Sequence, residues 1–177
     1  MKNRLPSSKP IFVLAAFLLA LVMASSTAKA LSTGTTYSIA QATATPQYQC
    51  GEPCVPILIG YSYTGQGTCQ IGCAGFPSGP VDATLTFSVT RTFPPSPCLM
   101  QRGTGILEVT WPSDPSLPSA QGTFTFKARD SKTVDFTGSI TSSALSVLLP
   151  GEPFNGFVTY PPSPCIGGTA TAAFTFG

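Results

Sequence analysis

From Val55 onward the odd-numbered residues Val55, Ile57, Ile59, Tyr61 and Tyr63 are apolar or aromatic. A two-residue period of this kind predicts an extended segment with one apolar face, ended here by Thr64-Gly65-Gln66-Gly67. Residues 82–93 put Leu85, Phe87, Val89 and Phe93 on one face and Thr84, Thr86, Ser88, Thr90 and Thr92 on the other. Leu107, Val109 and Trp111 share a face before Pro112. Phe124, Phe126 and Ala128 alternate with Thr123, Thr125 and Lys127. Beyond Arg129-Asp130-Ser131-Lys132 the pattern resumes, with Val134, Phe136 and Ile140 opposite Thr133, Asp135 and Thr137. Two alternating runs joined by a short polar turn predict a β-hairpin. The last run, residues 169–176, turns Ala170, Ala172, Phe174 and Phe176 inward and predicts a paired C-terminal strand.

Helical periodicity is nearly absent; residues 142–149 (SSALSVLL) are too short and too Ser-rich to sustain a helix. Threonine on one face and Phe, Val or Leu on the other suits an antiparallel sheet with one packed and one wet face. The expected fold is all-β: a small antiparallel up-and-down barrel or β-sandwich of seven to nine strands, stapled by disulfides. Residues 31–177 read as a single β domain, with 48–76 as a Cys-rich stapled flap or subdomain and 82–177 as an antiparallel meander.

Charge changes the picture once the N-terminus is considered. Lys2, Arg4 and Lys9 precede an apolar run over residues 11–24, and Ala28-Lys29-Ala30 places small residues where a signal peptidase cuts, so residues 1–30 read as an export signal. A run of that length spans about 21 Å as a helix, short of the roughly 30 Å hydrocarbon core, which disfavours an anchor. The chain from Leu31 keeps Arg91, Arg102, Lys127, Arg129 and Lys132 as cations against seven carboxylates, a net charge of −2. So few cations cannot neutralise a run of phosphates, which argues against nucleic acid and against an anionic membrane surface. The chain has no His, which excludes a Ser/His/Asp triad, a Cys/His dyad and a His-based zinc site. The protein is expected to be secreted or extracytoplasmic, without a membrane span after signal removal.

The six Cys, an even number in an exported chain, predict three disulfides. Cys50 and Cys54 have the same spacing as Cys69 and Cys73, so the two pairs can join as Cys54–Cys69 with nested Cys50–Cys73, or crosswise as Cys50–Cys69 with Cys54–Cys73. A four-thiolate zinc site is the rival use of these residues, disfavoured by the three-residue spacing and by export. Thr92-Phe93-Pro94-Pro95-Ser96-Pro97-Cys98 recurs as Thr159-Tyr160-Pro161-Pro162-Ser163-Pro164-Cys165. Each copy reads as strand, rigid Pro loop, Cys, turn, strand, and a matched loop carrying a matched Cys predicts Cys98–Cys165. In a simple meander that disulfide requires residues 142–151 to be a connection, because a further strand there would put the two Cys at opposite ends.

Candidate chemistry is sparse. Glu108, Asp135 and Asp82 are the strand carboxylates a glycosidase-like pair would draw on, but Glu108 and Asp135 each lie on the polar face of their strand. Trp111, Tyr61, Tyr63 and Tyr160, with Tyr48, could contact a ligand as a stacking platform for sugar rings, although each also fits sheet-face packing. No residue is assigned a catalytic role, and no cofactor or metal is expected. The leading expectation is a secreted, non-catalytic structural or ligand-binding module whose partner is a small molecule, a glycan or a surface protein. An exported carboxylate-dependent hydrolase is the alternative.

Overall fold

The alternation closes on itself. A computed structural model describes residues 34–177 apart from 52–54 and 94–95, so residues 1–30, read from the sequence as an export signal, lie outside the described residues. Eight strands follow in order: β1 (Thr35–Cys50), β2 (Pro56–Ile71), β3 (Val81–Phe93), β4 (Ser96–Thr110), β5 (Ala120–Ala128), β6 (Thr133–Ser142), β7 (Pro153–Thr159) and β8 (Gly168–Phe176). Each pairs antiparallel with the next, and β8 pairs with β1, which makes an up-and-down barrel rather than a sandwich. Closure leaves the sheet no free edge around its waist. A hydrogen-bonded row that leaves β2 at Gly60 passes through Ser88, Thr104, Thr125, Thr137, Asn155, Thr175 and Thr36 and returns to β2 at Ile71, so the rows spiral as barrel stagger requires.

Inside, phenylalanine fills the space that glycine leaves. Gly103 faces Phe126 and Gly105 faces Phe124 across β4 and β5, Gly138 faces Phe124 across β5 and β6, and Gly156 faces both Phe136 and Phe174. A Cβ on Gly103 would lie 2.7 Å from the Phe126 ring, and one on Gly156 would lie 2.5 Å from the Phe136 ring. The rings therefore lie over bare backbone, a device that lets bulky side chains occupy a narrow barrel. They form a chain, edge to face except for the tilted Phe124–Phe136 pair: Phe87 to Phe124 at 5.0 Å, Phe124 to Phe136 at 5.0 Å, Phe136 to Phe154 at 6.2 Å, Phe154 to Phe176 at 6.3 Å and Phe176 to Phe174 at 5.3 Å. Contacts in this range add to the burial term.

The end of the barrel carrying Thr35 and Phe176, the lower end, is closed by three loops. Phe76 from the β2–β3 connection stacks on Phe176 at 6.0 Å, Trp111 closes from the β4–β5 side, and Leu148 is buried from the β6–β7 connection. Ser113 donates to the Ser78 carbonyl at 2.6 Å, which ties two of these loops together. Residues 143–152 are thus a turn-rich connection with no strand of its own. The ends of β3 and β7 accordingly lie at the upper end, where Cys98 and Cys165 are joined with Cα atoms 5.0 Å apart.

Several local readings change. β1, where no strand was predicted, has Tyr37, Ile39, Ala42 and Ala44 inward, and its alternation skips a beat at a bulge over Ala40 and Gln41. In β2 the register moves from Gln47↔Gly60 to Tyr48↔Leu58, so Ile59 is an extra residue. That bulge separates two faces read as one: Tyr61 and Tyr63 point inward, while Ile57 and Ile59 are 54% and 42% exposed. The two copies of the repeat are not equivalent either, since Cys98 already belongs to β4 whereas Cys165 lies in the β7–β8 loop.

Neither pairing expected among the other cysteines occurs. Cys69 closes onto Cys73, with Cα atoms 6.1 Å apart. Residues 48–76 lie largely within β1, β2 and their connections, and the length of this hairpin explains the outcome. Cys50 is at its turn, opposite Pro56, while Cys69 is thirteen residues farther down β2, roughly 40 Å away at strand rise. Cys50 is itself disulfide-bonded, and Cys54 lies outside the described residues.

Candidate functional site

The aromatic residues read as a stacking platform are divided between the two ends. Trp111 is buried at the lower end beside Tyr37, and the polar atoms Trp111 Nε1 and Tyr37 Oη find no partner of hydrogen-bonding geometry. At the upper end Tyr61 and Tyr63 are fully buried with ring centroids 5.7 Å apart, and Tyr160 meets Tyr61 edge-on at 6.3 Å. Tyr63 Oη finds no partner, but the other upper-end hydroxyls hold backbone. The Tyr61 hydroxyl shares its one proton between the Pro164 carbonyl and the Cys98 carbonyl at 3.2 Å, Tyr48 donates to the Cys165 carbonyl at 2.9 Å, and Tyr160 donates to the Met100 carbonyl at 2.6 Å. With the Cys98–Cys165 bond, these contacts bind the β7–β8 loop and the start of β4 over the barrel mouth. The tyrosines close the barrel and offer no platform.

Burial raises every one of these phenols above the ordinary tyrosine value. Tyr37 is pushed up to about 12 by burial. Burial raises Tyr61, with Tyr48 adding to it, and raises Tyr63, with Tyr160 and Tyr61 adding. Tyr160 and Tyr48 move up mainly by burial too. The linkage runs one way. A phenol whose folded pKa lies above its unfolded value stabilises the fold fully below about pH 10, and that contribution falls as pH rises toward the folded value. These five are all the tyrosines in the chain, and only Tyr48 is exposed, so absorbance at 295 nm should rise past pH 10 by no more than the share of Tyr48 and then in one cooperative step that coincides with loss of near-ultraviolet circular dichroism. A gradual five-phenol titration centred near pH 10 would contradict this packing.

The carboxylates do not converge on a cleft. Asp135 accepts two hydrogen bonds from Arg129, one of them from Nε at 2.9 Å, and both side chains are exposed, so the pair adds little stability. Glu108 pairs with Thr84 and Gln121 near the lower end of the outer wall, whereas Asp135 pairs with Lys127 near the upper end two strands away. At strand rise that places them roughly 20 Å apart. Asp82 is a diagonal neighbour of Glu108, but both are exposed on the barrel's outer wall. Asp130 serves the hairpin turn instead, accepting from the Lys132 and Thr133 amides at 2.6 and 2.8 Å.

What the barrel presents outward is a hydroxyl-rich wall indented in places. One depression of about 650 Å³ is floored by Ser88, Thr104, Thr125, Thr137 and Ser139, with the backbone of Gly105 and Gly138 beneath. Another of about 350 Å³ contains Thr137, Asn155, Phe157, Thr175 and Thr36, with Arg129 and Asp135 at its border and Gly156 beneath. Phe157 is only half-buried, with its β6 side taken by the Arg129 guanidinium 5.9 Å from the ring centre. In register it stands between Asp135 and Ala173, so only a methyl group flanks it toward β8. Neither Phe157 nor Asn155 was singled out from the sequence. The available signal was an aromatic side chain in the polar phase of β7, between Asn155 and Thr159.

Comparison with protein-family models, with curated proteins and with solved structures finds no match.

Proposed function

We propose that the chain is an exported, non-catalytic extracellular module that acts through the outer wall of a filled barrel. The observation that carries this reading is the continuous run of rings from Phe87 to Phe174, which takes up the interior a ligand carrier would keep open. Both ends are closed as well, by the lower loops and by the tyrosine-held β7–β8 loop. Export is supported by the disulfides, which persist in oxidising compartments. No helix among the described residues is long and apolar enough to cross a membrane. A barrel that crossed with its strands would need an outward apolar band, whereas β5 turns Gln121, Thr123, Thr125 and Lys127 outward. The separation of Glu108 from Asp135, and the exposed setting of Asp82, speak against a carboxylate-dependent hydrolase, which needs two carboxyl groups flanking one bond.

The test is uptake of apolar probes by the folded chain. An anilinonaphthalene sulfonate and a fluorescent fatty acid should show no saturable enhancement at micromolar protein. One-to-one uptake that disappears on unfolding would restore a ligand carrier and overturn the outer-wall reading.

A further inference from the structure

The geometry points to a binding site for an uncharged, linear glycan on the outer wall, built around Phe157 and continued along the hydroxyl track that crosses β6, β5 and β4. It rests on the outer-wall reading and names its ligand class. Three independent features meet there. The first is a ring set for stacking. Phe157 is clamped on its β6 side by a guanidinium that Asp135 holds from two oxygens, and faces only the Ala173 methyl toward β8, leaving room for the apolar face of a pyranose. The second is a mixed polar fringe within the same depression. Asn155 supplies an amide that donates and accepts, Thr137 a hydroxyl that does both, and Asp135 a carboxylate that accepts, a set matched to vicinal sugar hydroxyls.

The third is continuity. The two depressions share Thr137, and the register connects them as one row: Ser88, Thr104, Thr125, Thr137, Asn155 and Thr175, ending at Thr36 on β1. The row bends round the closed barrel, so a linear ligand follows the part from Thr104 to Asn155, where three strand intervals of about 4.8 Å make a track of roughly 14 Å, long enough for two to three sugar units rather than one. The inward glycines account for the indentation. Gly105, Gly138 and Gly156 lie beneath it, with neighbouring Phe rings occupying the volume their side chains would take. The row itself carries no charge, so its own contacts are hydroxyls and an amide; the exposed cations Arg91, Arg102 and Lys127 stand in the next row toward the upper end, in register with Asp135 and Phe157, and oligogalacturonate tests whether they rather than the track hold a glycan. An extended peptide would seek an open strand edge, which the closed waist withholds.

The experiment is a titration of the isotope-labelled exported chain, followed by amide chemical shifts, with hexasaccharides of β-1,4-linked glucose, mannose and N-acetylglucosamine. Oligogalacturonate serves as the charged comparison. At least one neutral hexamer should shift amides along the row from Thr104 to Asn155, and should bind more tightly than its disaccharide. Phe157→Ala should weaken that binding about tenfold, the loss of one stacking contact. The near-isosteric Thr125→Val should weaken it several-fold with unchanged stability, and Thr64→Val, outside the row, should leave it unchanged. Absence of shifts with all three neutral hexamers refutes the site, as does tighter binding of oligogalacturonate or indifference to both Phe157→Ala and Thr125→Val. If apolar probes remain excluded in that case, the outer-wall reading stands without this site. If they enter the barrel, both fall.

Discussion

Gly105→Ala should destabilise the fold severely, although it adds a single methyl group. The new Cβ would lie 2.5 Å from the Thr86 carbonyl oxygen and would overlap the Phe124 ring that rests on this glycine. The carbonyl belongs to the β3 ladder and cannot retreat without breaking it, and the ring is wedged against Phe87 and Phe136 at 5.0 Å each. Overpacking of a close-packed core costs about 1 to 3 kcal/mol when side chains can give way, and more when backbone blocks them. A loss of about 3 kcal/mol or more is therefore expected from the urea midpoint, a large part of the stability of a domain this size. Phe124→Leu should cost stability alone yet recover part of the Gly105→Ala loss when combined with it, a non-additivity of about 1 kcal/mol or more. Thr104→Ala, one residue away and outward, should be nearly neutral. A Gly105→Ala chain with the wild-type midpoint would mean that the Phe rings do not lie across the glycines.

The same residues show how far a sequence reading of this barrel can go. Where alternation is uninterrupted and inward residues are large, as in β3 as far as Val89 and in β5, β6 and β8, the strand and its buried face are legible from period alone. Where a bulge intervenes, the period reports the wrong face. Ile57, Ile59, Tyr61 and Tyr63 share parity, yet the extra residue at Ile59 divides them between solvent and core. β1 was hidden for a related reason: its inward residues past Ile39 are alanines, too small to mark a phase, and its bulge shifts that phase midway. Closure itself is a global property, since nothing within β1 or β8 states that they pair.

The candidate site was less legible than the fold. Aromatic residues were weighed by their capacity to stack, which favoured the tyrosines and Trp111, but burial decided their role. Tyr61 and Tyr63 are fully buried, Trp111 nearly so, and they close the barrel ends. Phe157 has no polar handle and would be assigned to the core by composition, but its phase within β7 sends it out. The depression around it depends on Gly156 and Ala173, two small residues from different strands, a conjunction visible only once the register is known.

Removing the Cys98–Cys165 bond should have the second large effect, and it separates two roles of the upper end. The bond joins residues 67 apart, for which the chain-entropy account gives a contribution of about 4 kcal/mol, whereas Cys69–Cys73, only 4 apart, is worth about 2 kcal/mol on the same account. Paired serine substitutions at 98 and 165 should therefore lower the urea midpoint much more than the same change at 69 and 73. The loss should also be local in a distinctive way. Tyr61 and Tyr48 donate to the carbonyls of Pro164 and Cys165, so a loop freed from β4 takes their acceptors with it and admits water to the phenols. Burial is the leading cause of their raised pKa values, so these phenols should begin to ionise nearer pH 10, ahead of unfolding, while Tyr37 at the lower end still waits for the cooperative step. The early rise in absorbance at 295 nm, which the exposed Tyr48 alone supplies in the intact chain, should then grow in the 98/165 variant and stay unchanged in the 69/73 variant. An unchanged early rise in both, with equal losses of stability, would show that tyrosine packing and the β7–β8 loop close the mouth without the disulfide.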